Sequence, residues 1–332
     1  MKKIRIGHIG TYHDHSFGKL ECVLKYPDLF EVVGVVAESE ERKNEICNKG
    51  VYKDVKFVTE DEMFNELKPD AMLVEGYELD LLKLTQKCVE RGIHVHVDKP
   101  AGDDVAHFEK ILNITKEKNL VLQMAYMYRY NNAIGECMRL YKEGKLGEIT
   151  GIDAYMCTEH WPEKNKWLEA FKGGIMFFLG CHMIDLVYMF AGKPNKIHSI
   201  RQRTNLNGNN SEDNCVAVFE YDKFSALIRM NSTEVNGYGR RQFVLAGSKG
   251  TVEIKPLENP TIMTVSYTDM THAEGASIYK DMKEKVELVP QKGRYDEMML
   301  DFYDMIVNNK KNQFTPEYEL ELQKIIMETC TK

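Results

Sequence analysis

The sequence predicts an α/β fold: a doubly wound parallel sheet followed by an α+β domain with a large, mostly antiparallel open sheet. Three observations carry this. Apolar strand-like runs alternate with helical spacings over the first 125 residues, the pattern of a parallel sheet. Beyond about residue 150 the strands follow one another with short turns between them, the pattern of an antiparallel sheet with helices covering one face. The chain has 332 residues, 43% of them hydrophobic, which suits two domains with cores of their own. We place these at 1–125 and 126–332, with the C-terminal helices available to pack back on the first.

Residues 3–9 alternate and stop at Gly10, as a first strand does. Residues 20–29 have helical spacing, and 30–37 form an apolar strand ending at Glu38. Residues 40–48 read as helix, 56–58 as a short strand, 60–67 as helix and 70–74 as strand. A helix over 80–91 precedes the strand 93–97, and a helix over 104–118 precedes the strand 120–125. In the second half, strands are expected at 149–155, 197–204, 215–221, 224–233, 241–246 and 251–254. A helical segment spans about 175–190, and helices over 295–308 and 318–328 close the chain. No internal repeat or low-complexity tract interrupts this order.

A net charge of -7 argues against a nucleic-acid surface. The start Lys2-Lys3-Ile-Arg-Ile is too short and polar for a signal peptide, and no apolar run approaches a membrane span. None of the eight cysteines forms Cys-x-x-Cys, so free thiols in a reducing cytoplasm are the simplest reading.

Candidate site residues cluster in three places. After the first strand the loop Gly10-Thr-Tyr-His-Asp-His15 keeps only the first glycine of Gly-x-Gly-x-x-Gly. Gly10 provides the tight turn, while Thr11, Tyr12 and the amides that follow can meet phosphate at a helix start. Glu38, at the end of the second strand, is placed to accept ribose hydroxyls and to repel a 2′-phosphate. It favours NAD(H), while Arg42 and Lys43 keep NADP(H) open. A helix N-terminal acid is the plainer reading of Glu38. His13 and His15 flank Asp14, and two ligands in one loop are too few for a metal without a third from elsewhere. No metal is expected, and these side chains are read as lining a polar cofactor or substrate cleft.

The second place is Gly92-Ile-His-Val-His-Val-Asp-Lys-Pro100. The proline holds Lys99 extended, at a strand end where ligands of open α/β sheets collect. Proton chemistry and an ordinary exposed turn remain equally open on spacing alone. The third is the helix carrying Phe178, His182 and Asp185 at i, i+4 and i+7, on one face. His182 can move a hydroxyl proton near neutral pH, and Asp185 can orient it or tie the helix to its surroundings. A buried structural histidine is the plainer alternative.

These stretches resemble the glucose-fructose oxidoreductase / inositol dehydrogenase / MocA family of nicotinamide-dependent oxidoreductases, nearly end to end. Residues 92–100 are similar to that family's Gly-Lys-His-Val-x-x-Glu-Lys-Pro. Tyr128-Arg-Tyr-Asn131, Gly144-Lys-Leu-Gly-Glu-Ile149, Gly173-Gly174 with Gly180-Cys-His-Met-Ile-Asp185, and Leu245-Ala-Gly-Ser-Lys-Gly-Thr251 follow in family order. The resemblance implies a Rossmann domain, a second domain whose open sheet often forms a homodimer or homotetramer interface, and bound NAD(H) or NADP(H) with its nicotinamide near Lys99. It further implies oxidation or reduction at one carbon of a sugar, cyclitol or related polyol.

Carried over, Lys99 would hold the reactive geometry, His182 would be the acid/base beside Asp185, and Tyr128 and Arg129 would lie near nicotinamide or substrate. Gly76 and Asp98 complete the expected cofactor set, and His160 and Trp167 the substrate set. Two departures stand out. Phe178 replaces the usual carboxylate four residues before the histidine, and Gly76-Tyr77 replaces Thr-Pro after the 70–74 strand. They leave open a nucleotide-sensing protein with reduced catalysis. A third possibility is a retained cofactor serving an internal oxidation–reduction cycle.

Overall fold

In a computed structural model, which describes residues 2–267 and 283–331, the apolar runs of the first half form one parallel sheet. Strand β1 (Ile4–Ile9) lies between β2 (Phe30–Val36) and β3 (Ala71–Val74), followed by β4 (His94–Val97) and β5 (Leu122–Met124), in the order β2-β1-β3-β4-β5. Every residue of β3 is buried, as expected of a central strand with both faces covered. Helices α1 (Ser16–Leu24), α2 (Glu40–Ile46), α3 (Leu81–Val89) and α4 (Val105–Glu117) connect the strands. Their starts are chemically marked. Ser39 Oγ accepts from the Arg42 amide at 3.1 Å and Asp104 accepts from the His107 amide at 2.9 Å, satisfying donors that a first helical turn leaves open.

Two expectations here are corrected. Residues 56–58 form no strand but a single bridge, Phe57 opposite Val35. The 60–67 helix is a π-helical turn, Glu62–Leu67, that ends on Lys68 in the left-handed region at φ 48. Its entry is a reciprocal box in which Glu62 accepts from the Thr59 amide and Thr59 accepts from the Glu62 amide.

Packing separates two units: residues Met1–Met127 with Lys292–Gln323, and residues Tyr128–Gln291 with Lys324–Lys332. In the first unit, α8 (Asp296–Val307) completes the core beside the sheet. Tyr26 Oη donates to Asp296 at 2.7 Å, Gln123 Nε2 donates to the Met298 carbonyl at 3.1 Å, and Tyr303 Oη donates to the Lys2 carbonyl at 2.8 Å. Phe302 is fully buried with its ring edge toward His96.

The second unit is built on an eight-stranded sheet in the order β13-β12-β11-β10-β6-β9-β8-β7. The strands are β6 (Ile149–Tyr155), β7 (Lys196–Gln202), β8 (Asn214–Glu220), β9 (Ser225–Asn231), β10 (Gln242–Gly247), β11 (Gly250–Ile254), β12 (Ile262–Tyr267) and β13 (Lys283–Leu288). Among the described residues, β6 and β9 pair in parallel and the other neighbours antiparallel. Strict alternation aims Cys215, Ala217 and Phe219 of β8 and Ala226, Ile228 and Met230 of β9 into the core. Helix α7 (Cys181–Ala191) covers that face, with Phe190 against Phe243 at 5.1 Å. Helices α5 (Asn132–Lys142) and α6 (Pro162–Trp167) belong to this unit, and α9 (Pro316–Thr331) ends the chain. Strands β12 and β13 were not expected. The first follows Pro256 and Pro260, and the second reads Lys-Glu-Lys-Val-Glu-Leu, too charged to stand out as a strand.

Truncating Phe302 to alanine removes a fully buried ring and is expected to cost about 3–5 kcal/mol. Urea unfolding measures this. A loss below about 1 kcal/mol would show that α8 does not belong to the first unit's core.

Candidate active site

Three adjacent strands, β1, β3 and β4, deliver the first unit's polar residues to one edge of the sheet, beyond their carboxyl ends. Gly10 turns the chain at φ +85, and a Cβ there would lie 2.3 Å from the Gly76 amide nitrogen. Only glycine permits that approach. The structure therefore brings together two of the expected cofactor residues, Gly10 and Gly76.

Thr11, Tyr12 and Glu38 also meet. The Thr11 and Tyr12 amides donate to Glu38 Oε1 at 2.6 and 3.0 Å, and Thr11 Oγ1 donates to Oε2 at 2.7 Å. The loop thus forms an anion-binding nest of backbone amides, with a carboxylate of the chain itself as the anion. Arg42 joins it, donating to Thr11 Oγ1 and the Thr11 carbonyl at 3.1 and 2.8 Å, with its guanidinium over the Tyr12 ring. Lys43 instead pairs with Glu40 on the surface.

One turn further on lies a buried polar cluster. Asp98, fixed by its amide on the Val74 carbonyl, accepts from Lys19 Nζ at 2.6 Å and from the Lys99 amide at 2.7 Å. His13 Nδ1 lies 3.0 Å and His15 Nδ1 3.2 Å from Asp98 Oδ2. Lys19 also donates to Glu75 at 2.9 Å, and His13 Nε2 faces Glu78 at 3.5 Å. Lys99 is fully buried at the end of β4.

The two carboxyls on Lys19 are pushed apart. Burial raises Glu75 well above the usual range despite Lys19. Burial also disfavours the Asp98 anion, but His13, Lys19 and His15 outweigh it and hold that carboxyl well below the usual range. Burial lowers His15 to about 3 and His8 to about 3.

Sequence reasoning missed Lys19, Glu75 and Glu78. Two of them carried a signal. Ser16, Lys19, Leu20 and Val23 share the buried face of α1, so helical periodicity places the lysine inward. Glu75 follows directly on the all-buried β3.

In the second unit a 3-10 turn, Met127–Tyr130, presents Tyr128 and Arg129, and Asn131 caps α5 by accepting from the Ala133 and Ile134 amides. The Tyr128 ring stands edge-on to His182 at 5.1 Å and 86°, and its hydroxyl donates to Glu258. His182 is buried on α7. Arg129 grips Asp185 through Nε at 3.0 and 3.1 Å and Nη2 at 2.8 Å, with both side chains 1% exposed. Two residues expected separately, one catalytic and one for cofactor, thus form a single buried ion pair.

The segment before α7 is a π-helical turn, Met176–Gly180, rather than continuous α-helix. There Phe178 packs 4.9 Å from Trp167 and is stacked on Phe171, with the His160 ring 6.3 Å away. Lys164 Nζ sits 3.5 Å over Trp167. His160, Trp167 and Phe178 are therefore brought together as one aromatic wall with a cation over it.

Two outcomes follow. Arg129→Met is expected to destabilise by about 3–5 kcal/mol, because it leaves Asp185 buried and charged, and the double variant with Asp185→Leu to recover most of that. A double-mutant cycle by urea unfolding decides it; additive losses would remove the coupling. For His8, the folded pKa near 3 lies below the ordinary 6.5, so the unfolded chain binds the extra proton. Stability from this group is complete above pH 6.5 and is lost as pH falls toward 3, by about 1.4 kcal/mol per unit. His8→Phe should flatten the slope of stability measured from pH 7 to 4.

Comparison with known proteins agrees with this layout. Residues 4–126 match the model of an oxidoreductase family with an NAD-binding Rossmann fold, and residues 135–253 match the GFO/IDH/MocA C-terminal domain. The chain is 21% identical over 283 residues to the uncharacterized oxidoreductase YhhX of Escherichia coli, covering 79% of this chain and 78% of that one. It is 25% identical over 149 residues, 43% of this chain and 40% of the other, to the scyllo-inositol 2-dehydrogenase (NADP(+)) IolW of Bacillus subtilis. The UDP-N-acetylglucosamine 3-dehydrogenase GnnA of Acidithiobacillus ferrooxidans shares its fold with a TM-score of 0.79 at 14% identity, over 99% of this chain and 96% of that one. Matching models over both halves, on a parallel Rossmann sheet followed by a large antiparallel one, make this chain a member of the GFO/IDH/MocA family of NAD(P)-binding oxidoreductases.

Proposed function

We propose that this oxidoreductase acts on a CH–OH carbon of a sugar, cyclitol or related polyol, or on the corresponding ketone. The observation that carries the reading is Lys99. It is a fully buried lysine at the carboxyl end of β4, the sheet edge where open α/β folds collect their ligands. The relatives named for an inositol and for a nucleotide sugar support the substrate class.

The dinucleotide loop fits the cofactor. Its Thr11 and Tyr12 amides already hold a carboxylate, and the same donors suit a phosphate or the ribose next to it. Bound NAD(P) supplies the hydride chemistry. Lys99 Nζ donates a hydrogen bond to the reacting substrate oxygen, and His182 accepts or returns the hydroxyl proton. Tyr128 sets the tilt of the His182 ring, and Asp185 holds Arg129 beside that turn. We assign NAD(H) as the preferred cofactor, since Glu38 repels a 2′-phosphate, with NADP(H) left accessible through Arg42. His160 and Trp167 are assigned to the substrate wall, and the protein to the cytoplasm as a homodimer or homotetramer.

A second reading is a dinucleotide-binding sensor with reduced catalysis. It is favoured by Phe178, which stands where the family carries a carboxylate and is packed into aromatic side chains.

A panel of polyols assayed with NAD and with NADP separates the two. We expect turnover with NAD, reduced by about 10²–10⁴-fold in Lys99→Ala with an unchanged circular dichroism spectrum. His182→Ala should lose the neutral-pH limb of the rate profile. Wild-type-like turnover in Lys99→Ala removes that lysine from the mechanism. Binding of NAD without turnover on any polyol selects the sensor.

A further inference from the structure

We infer that His13, His15 and Asp98 form a binding site for one divalent transition-metal ion of the zinc type. This goes beyond the proposed oxidoreductase reading and rests on side-chain geometry alone. The sequence supplies two imidazoles in one loop and lacks a third ligand nearby. The fold supplies it from 83 residues away, at the end of β4.

Three potential ligand atoms converge: His13 Nδ1 and His15 Nδ1 lie 3.0 and 3.2 Å from Asp98 Oδ2, and all three are within 4.8 Å of one another. The first two spacings are those of neighbouring ligands around an ion at about 2.0–2.2 Å from each. Two ligands of one such ion stand at most about 4 Å apart, so capture draws the two imidazoles together. His15, whose side chain is 13% exposed, is the ligand nearest the surface.

The hydrogen bonding on the ring of His13 points the same way. Its Nδ1 stands 3.2 Å from the His15 amide nitrogen and 3.0 Å from Asp98 Oδ2, so the ring turns this nitrogen toward the carboxylate. The other nitrogen, Nε2, is buried, makes no hydrogen bond and faces the Glu78 carboxylate at 3.5 Å. A carboxylate behind an imidazole is the arrangement that fixes the tautomer and orientation of metal-binding histidines.

Lys19 is the internal competitor, with its ammonium 2.6 Å from Asp98 Oδ2. Glu75 offers that ammonium a second carboxylate at 2.9 Å, so the lysine keeps a partner when Asp98 turns to an ion. Two imidazoles and one carboxylate select a borderline ion over magnesium or calcium. Three protein ligands leave at least one position for a small ligand.

The test uses untagged full-length protein, stripped with a chelator and titrated with Co²⁺ and then Zn²⁺, without dinucleotide or substrate. We expect one Co²⁺ per chain, a visible ligand-field absorption band, and displacement by Zn²⁺. His15→Ala, at the most exposed ligand, should weaken binding on the order of 100-fold with its circular dichroism spectrum unchanged, and Glu78→Gln about 10–100-fold. Absence of the band, or an unchanged affinity in His15→Ala, overturns the site. Because the readout is metal binding alone, it stands or falls separately from turnover on the polyol panel.

Discussion

The Asp98 carboxylate is fully buried and has to be neutralised where it lies. It holds the Lys19 ammonium from α1, the amide of Lys99 from its own turn, and two imidazoles from the loop after β1. Two stretches far apart in the chain, residues 13–19 and 98–99, are thereby joined at one oxygen pair. The loop over residues 10–15 has no run of glycines to shape it, and its path is instead set by side chains. Glu38 takes the amides at one end and Asp98 the imidazoles at the other. The turn into the buried Lys99 is tied to the same carboxylate through the Lys99 amide.

Much of this architecture is legible in the sequence, for physical reasons. Parallel strands buried on both faces read as short apolar runs, and four of the five are closed by a glycine or a carboxylate: Gly10 after β1, Glu38 just past β2, Glu75 after β3 and Asp98 after β4. What could not be read is whatever depends on separation in sequence. His13 and His15 announce two ligands, yet nothing local indicates that Asp98 lies beside them. Asp185 and Arg129 each suggest chemistry alone; only the fold shows that each neutralises the other. Strand β13 pairs with β12 over six residues despite its charges, since backbone pairing needs no apolar side chain.

The second unit shows how one local irregularity redirects a helix face. Ideal α-helical spacing aligns Phe178, His182 and Asp185, but the π-helical turn over Met176–Gly180 inserts extra chain just before α7. Phe178 then packs with Trp167 and Phe171, while His182 meets Tyr128 and Asp185 meets Arg129. Phe178 is thereby part of a buried aromatic cluster with the Lys164 ammonium over it.

The carboxylate seated in the dinucleotide loop has a kinetic consequence. Glu38 is tethered, so its local concentration at the Thr11 and Tyr12 amides far exceeds that of any free ligand. A ligand of these amides would have to displace it, and its apparent dissociation constant would be the intrinsic one divided by the fraction of time the amides are free of the carboxylate. Once the amides are vacated the same side chain would refill them, so each new ligand would again compete with it. The loop is a self-competing seat: its resting occupant belongs to the chain itself.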